Sequence, residues 1–343
     1  MSGVLDMSLR EPVKPVETEL SLSFFNASAM SLGTFGDDDQ GDWLFAARRG
    51  NLDLIVDVID PEFGNPDYQD FLGHVGWVFG SLADISLNVM LSNDKLQLNL
   101  TDRGETAMAR YKNQVFWASW VANWSDQLQS ETIVSITDID NTRHGSVDLP
   151  GIVTGSLDDE RSFRAAVLKQ DWVYVPSDRW MLGFGFDAKH LDGNYLFSSV
   201  KAVAEPFDQI LDNEPLQTLD FDVVADGAQY AAYVSARWLL QERLTIDVGM
   251  RWDYQGYTTA NDDTQSSPRI SLLYDLADNT ELRLGWGQYS QAQEVNELQV
   301  SDGNDAFFPA QRAEHLVLNL KHYFPAGTNV DISLFRKKFR AVR

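Results

Sequence analysis

Between Leu244 and Tyr254 the chain reads LTIDVGMRWDY, an alternation with one apolar and one polar side. Leu244, Ile246, Val248, Met250, Trp252 and Tyr254 fall on one side of a pleated strand, and Thr245, Asp247, Gly249, Arg251 and Asp253 on the other. No helical period fits. The preceding ARWLLQER leads into this strand through a tight turn at Gln241–Arg243, which predicts an antiparallel hairpin.

The pattern recurs about fifteen times. The early strand candidates are Glu17–Phe25, Ala29–Gly36, Asp42–Val58, Tyr68–Gly80 and Asp84–Ser92. Ala107–Trp124, Leu128–Asp138, Phe163–Val175 and Trp180–His190 follow. The last six are Ala228–Leu240, Leu244–Tyr254, Ser267–Leu276, Glu281–Tyr289, His315–Phe324 and Asn329–Phe339. Links after even-numbered candidates are short. Apart from the first hairpin, links after odd-numbered ones are long: Ile59–Asp67, Asn93–Thr106, Ile139–Ser162, Leu191–Gly227, Gln255–Ser266 and Ser290–Glu314. A soluble sandwich has no reason to gather its long loops at one end. A barrel in an outer membrane does, with short periplasmic turns and long extracellular loops. The expected fold is therefore all-β: an antiparallel transmembrane β-barrel segment of about fifteen strands, an up-and-down meander, incomplete. Leu244, Ile246, Val248, Met250 and Trp252 are the expected lipid-facing positions of one strand.

Composition narrows the alternatives. The 343 residues are 44% hydrophobic and 12% aromatic, which excludes disorder for most of the length. Trp77, Trp117, Trp120, Trp124, Trp172, Trp180, Trp238, Trp252 and Trp286 all sit in these strand candidates, several near an end, as interfacial girdles require. A net charge of −24 argues against a nucleic-acid partner. The absence of cysteine removes disulfides and thiolate metal sites. No apolar run is long enough for a spanning helix. The opening MSGVLDMSLREPVKP lacks a charged segment followed by an apolar one, so an exported protein is expected here as a fragment or processed form.

Several of these strands carry motifs. Gly249–Asp253 fits G-x-R-Y/W-D, Ser267–Tyr274 begins S-P-R and ends in Tyr, and Trp286–Gly287 gives a Y/W-G pair. In this order the motifs resemble the barrel of a TonB-dependent outer-membrane receptor. Gln311–Phe324 and Asn329–Phe339 are similar to the strands that follow, and Ser2–Pro12 is similar to the end of the family's plug domain. The resemblance implies a plug remnant over residues 1–12 and a partial barrel over 13–343. It also implies an outer-membrane location, with membrane lipid, the TonB energy-transducing complex and a small extracellular ligand such as an iron-siderophore as partners. No TonB box is present, and fifteen strands fall short of the family's roughly twenty-two. A fragment truncated at both ends is expected, forming an open sheet with edges at Glu17–Phe25 and Asn329–Phe339. The alternatives are a passive porin-like barrel and a soluble all-β binding module.

Candidate chemistry is sparse. His74, His144, His190, His315 and His322 are scattered, and neither a metal centre nor a cofactor is expected. Asp37, Asp39 and Asp42 read as a solvated acidic turn, as do Asp158–Glu160 and Asp262–Asp263 in expected outer loops. Gly183, Gly185, Gly285 and Gly287 alternate along strands, which suits close approach of a plug or sharp strand coiling. No nucleophile elbow or Ser-His-Asp set appears, so no catalytic residue is expected. Ligand contact, by the resemblance, falls to aromatics in long loops: Tyr195, Phe197, Phe307 and Phe308. Such aromatics also serve to pack the loop itself.

Overall fold

The computed structural model describes residues 16–52, 64–100, 104–210, 214–258, 264–325 and 327–340. Its fifteen strands are β1 (Val16–Leu22), β2 (Asn26–Phe35), β3 (Gly41–Gly50), β4 (Asn65–Phe79) and β5 (Ala83–Leu100). They continue with β6 (Glu105–Ser125), β7 (Leu128–Leu149), β8 (Val153–Ser177), β9 (Trp180–Val203) and β10 (Leu216–Gln241). The last are β11 (Leu244–Gln255), β12 (Thr264–Ala277), β13 (Thr280–Gln291), β14 (Gln311–Tyr323) and β15 (Asn329–Arg340). Each strand pairs antiparallel with its neighbours in sequence, in one sheet ordered β1 to β15. Among the described residues β1 and β15 are the two edges and no ladder joins them, so the sheet is open, as expected. The expected plug remnant, and the part of the third candidate beyond Leu52, lie outside the described residues.

Register carries the alternation of β11 across the sheet. Val248 stands opposite Ala236 and Ile270, and Arg251 opposite Tyr233 and Ser267. One face is therefore apolar and the other polar, strand after strand. The apolar residues have nothing packed over them: Val248, Met250 and Trp252 are 44%, 42% and 41% exposed. Aromatics bound this face at both ends. Trp180 stacks on Trp238 at 4.9 Å beside the short turns, and Tyr230 on Tyr254 at 6.1 Å at the opposite limit. Positions 230–238 of β10 lie between those limits, the length of strand that crosses a bilayer.

The polar face is cross-linked by hydrogen bonds. The Tyr233 hydroxyl donates to Asp171 at 2.6 Å, and Arg251 donates to Asp253 at 2.8 Å and to Asp187 at 3.1 Å. Gly185 makes room for the first of these, since a Cβ there would lie 2.6 Å from the Asp171 carboxylate and 2.8 Å from the Tyr233 ring. A side chain of the next strand lies over this glycine.

The connections depart from expectation on the long-loop side. Asn93–Thr106, Ile139–Ser162 and most of Leu191–Gly227 are not loops: β5 to β10 run on as strands, and only 101–104, 150–152 and 204–215 connect them. β10 alone has 26 residues, roughly 85 Å of extended chain, far more than a membrane needs. In these extensions the apolar positions change sides: on β10 Leu219, Phe221, Val223 and Ala225 share the face that carries Tyr233 further down, while Asp220, Asp222 and Asp226 take the other. The extensions are held by ladder hydrogen bonds and cross-strand pairs such as His144 with Asp158 at 2.7 Å and Thr106 with Ser146 at 2.7 Å. The 292–310 connection remains a loop on the same side.

Candidate functional site

Where β8, β9 and β10 rise beyond the aromatic limit of the apolar band, their polar faces stop being wet. Phe163, Leu191, Tyr195, Phe197 and Ala225 are buried there against Tyr257 and against Val295, Leu298, Val300 and Phe307 of the 292–310 connection. This connection folds onto the polar face of the sheet. Its VNELQV run supplies apolar side chains that a solvated loop has no use for, and burying them is what draws the segment inward.

Two tyrosines fix the segment. The Tyr195 hydroxyl donates to the Val295 carbonyl at 2.6 Å and accepts from the Leu298 amide at 3.1 Å. The Tyr257 hydroxyl donates to the Gln293 carbonyl at 2.7 Å. Gln293, itself 2% exposed, donates through its amide to the Glu297 carbonyl at 2.9 Å and accepts the Phe308 backbone N–H at 2.8 Å. Burial pushes the Tyr195 phenol up to about 12. Glycines allow the approach: a Cβ on Gly193 would come within 2.9 Å of Val295, and one on Gly227 within 2.9 Å of the backbone at 256–257.

Beneath Tyr195 lies a charged cluster. Asp159, 1% exposed, accepts from Arg143 Nε at 3.0 Å and from Arg161 at 2.7 and 2.9 Å, and the Arg161 guanidinium sits 5.5 Å over the Tyr195 ring. A buried carboxylate is tolerable only with such partners. Two arginines to one aspartate leave the cluster net positive.

The sequence-derived candidates separate here. Tyr195 and Phe197 lie in β9 and not in a loop, and both are buried. Phe307 packs edge-on against Tyr257 at 5.3 Å, while its neighbour Phe308 is 39% exposed at the surface of the segment. Asp159, expected as part of a solvated outer loop, is inside β8, while Asp158 and Glu160 alternate to the other face. Asp42 likewise leaves the acidic turn at Asp37–Asp39 and bonds His74 at 2.8 Å from β3. Asp262 and Asp263 lie outside the described residues. Tyr257, Gln293 and the paired arginines carried no sequence signal of their own; the apolar spacing of Val295, Leu298 and Val300 was the readable clue. On the opposite face His190, Asp192 and Asp226 come within 4.8 Å of one another, a grouping that sequence separation concealed.

Comparison with known proteins agrees with this geometry. A family model described as TonB dependent receptor-like, beta-barrel, matches residues 29–342. No curated protein matches the chain by sequence. The fold is shared with the alcaligin outer-membrane receptor of Bordetella pertussis (TM-score 0.55, 15% identity, covering 94% of this chain and 50% of that one). It is shared equally with the ferripyoverdine receptor of Pseudomonas aeruginosa (0.64, 10%, 96% and 49%). The ferric-catecholate import receptor of Escherichia coli K12 gives 0.65 at 8% identity, covering 94% of this chain and 58% of that one. The chain thus spans about half the length of the structures it matches. With nearly all of its strands inside the matched span, the chain belongs to the TonB-dependent receptor family of outer-membrane β-barrels.

Proposed function

We propose that this chain forms part of the wall and the ligand-facing vestibule of a receptor that imports an iron-siderophore, or a similarly scarce nutrient, by coupling to the periplasmic TonB complex through a plug domain. The apolar face, including Leu244, Ile246, Val248, Met250 and Trp252, then contacts lipid, and the polar face lines the lumen. The long strand extensions and the 292–310 segment stand on the extracellular side.

The observation that carries this reading is the inward-folded 292–310 segment, anchored by Tyr195 and Tyr257 over a net-positive Arg143–Asp159–Arg161 cluster. A fixed aromatic surface beside positive charge suits an anionic, ring-bearing iron chelate. Of the four aromatic candidates, Phe308 is the one exposed enough to touch a ligand; Tyr195, Phe197 and Phe307 position it. The names of two of the matched receptors, for ferripyoverdine and for ferric catecholate, point to iron chelates, which supports the same class here.

The test is binding of a panel of ferric siderophores to the whole receptor in detergent. Tight binding of one member, weakened about tenfold by Phe308→Ala and abolished in transport by loss of TonB, is the expected result. Failure of every iron chelate to bind overturns the substrate class.

A further inference from the structure

We propose that the polar face of β11–β14 holds a binding site for a small hydroxycarboxylate, separate from the vestibule. The proposal rests on the reading of this face as the lumen wall, and not on the iron-chelate reading. Two rows of residues, set side by side by the register, build the site. One runs Gly249, Arg269, Gly287 and His315 across the four strands, and the row nearer the short turns runs Asp247, Ser271 and Gly285. Together they line a recess of about 350 Å³, a volume suited to a small molecule.

The recess exists because the wall lacks side chains at its floor. A Cβ on Gly285 would meet nothing closer than Ser271 at 3.9 Å, and one on Gly249 nothing closer than 3.5 Å, so packing within the wall requires glycine at neither position. Neither has the positive φ that would demand it. Gly193 and Gly227 differ, since there a Cβ would collide with the protein itself. An open floor alone is only room. What points to an occupant is the set of polar groups around it that lack partners.

His315 is 7% exposed, and its Nε2 has no hydrogen-bond partner among the described residues, where a buried polar atom ordinarily has one. The Arg269 guanidinium lies 4.6 Å over the Tyr289 ring, and His315 packs against the same ring at 4.8 Å. Lys337 stands opposite His315 on β15. Among the described residues neither Arg269 nor Lys337 pairs with a carboxylate, in a chain whose net charge is −24. A ligand carboxylate would meet the Arg269 fork and a protonated His315 Nε2 together. The other end has the opposite character. Asp247 accepts from Arg237 at 2.7 Å and from Ser271 at 3.3 Å, and its remaining lone pairs can accept from a ligand hydroxyl. A carboxylate and a hydroxyl on one short carbon frame satisfy both ends.

The experiment titrates malate into the whole receptor in detergent by calorimetry, with succinate, which lacks the hydroxyl, and inorganic phosphate as comparison ligands. The variants are Arg269→Gln, His315→Gln, the floor-filling Gly285→Val, and Arg283→Gln, which removes a charge from the same face of β13 outside the recess. Malate is expected to bind saturably at one site, at least about tenfold more weakly in the first three variants and unchanged in Arg283→Gln. In wild-type protein succinate is expected to bind more weakly than malate, and phosphate more weakly still, a comparison that needs no variant to fold. Absence of saturable malate binding, undiminished binding in the three recess variants, equal loss in Arg283→Gln, succinate binding as tightly as malate, or phosphate binding equally, meaning an adventitious ion only, would each overturn the proposal. Wild-type protein that binds no malate but loses stability on Arg269→Gln would assign the recess to another segment of the receptor, which also overturns it. Ferric-siderophore binding by the same preparation reports the iron-chelate reading separately, so the two failures are distinguishable.

Discussion

The Tyr195 hydroxyl bonds to the carbonyl of Val295, a hundred residues further along the chain, and thereby fixes an outer connection to the inner wall. The same oxygen accepts from Leu298, so Tyr195→Phe leaves one buried donor and one buried acceptor unpaired. A local destabilisation of about 1–3 kcal/mol is expected. Hydrogen exchange at the Leu298 amide is the readout: protection should fall in the variant while the ladder of β11 is unchanged. Unaltered protection would mean that apolar burial alone holds the segment.

Alkaline pH perturbs the same bond without mutation. The phenol is raised from its usual 10.0 to about 12 in the folded protein, so the neutral form is the one the fold favours. Its contribution is complete below pH 10 and is lost as pH rises through about 12. Wild-type protection at Leu298 should decline over that window, and Tyr195→Phe should remove this component of the decline.

How much of this was legible in the sequence depends on what each strand faces. β11 was readable from Leu244 to Tyr254 because one side is apolar and the other is not. The upper halves of β8 and β9 were not, because there the apolar positions move to the other face, as Phe163, Leu191, Tyr195 and Phe197 do, and are interrupted by Asp159, Arg161 and Gly193, so the period-2 signal changes phase and breaks up. The same blindness turned Tyr195 and Phe197 into loop residues and Asp159 into a solvated charge. The aromatics drew notice by their type, but their packing against Val295 and Leu298 depends on a fold-back between distant segments that no local pattern encodes.

Phe307 and Phe308 offer a paired test of anchor against contact residue. Phe307→Ala empties a buried site against Tyr257 and should cost about 3–5 kcal/mol locally, loosening the segment and raising its protease sensitivity. Phe308→Ala should leave stability nearly unchanged and weaken ligand affinity. If both variants behave alike, the division of labour between the neighbours is wrong.

Sidedness follows from the connections. An epitope placed at Gly151, in the tight turn between β7 and β8, or at Asn304 should be reached by antibody on intact cells carrying the whole protein. One at Glu242 or Asn279, in the short turns after β10 and β12, should be reached only after permeabilisation. The Gly151 position is informative because it is a turn as short as those on the other side. Labelling it from outside shows that side is set by strand parity, not by loop length.

Parity of faces can be tested with one residue type at two positions. Val248 is 44% exposed on the apolar face of β11, between Ala236 and Ile270. Ser271, on the polar face of β12, stands opposite Asp247 and bonds to it at 3.3 Å. Both sites lie between the aromatic limits, so depth in the membrane differs little. Arginine at Val248 meets hydrocarbon and should cost about 2–4 kcal/mol if the site is near the bilayer midplane. Arginine at Ser271 meets a wet lumen and a facing carboxylate, where an exposed ion pair changes stability by no more than about 1 kcal/mol. Urea unfolding of the whole protein in lipid vesicles measures both. A soluble protein would tolerate both substitutions, since each side chain would then reach water, and comparable small costs would remove the lipid contact assigned to this face.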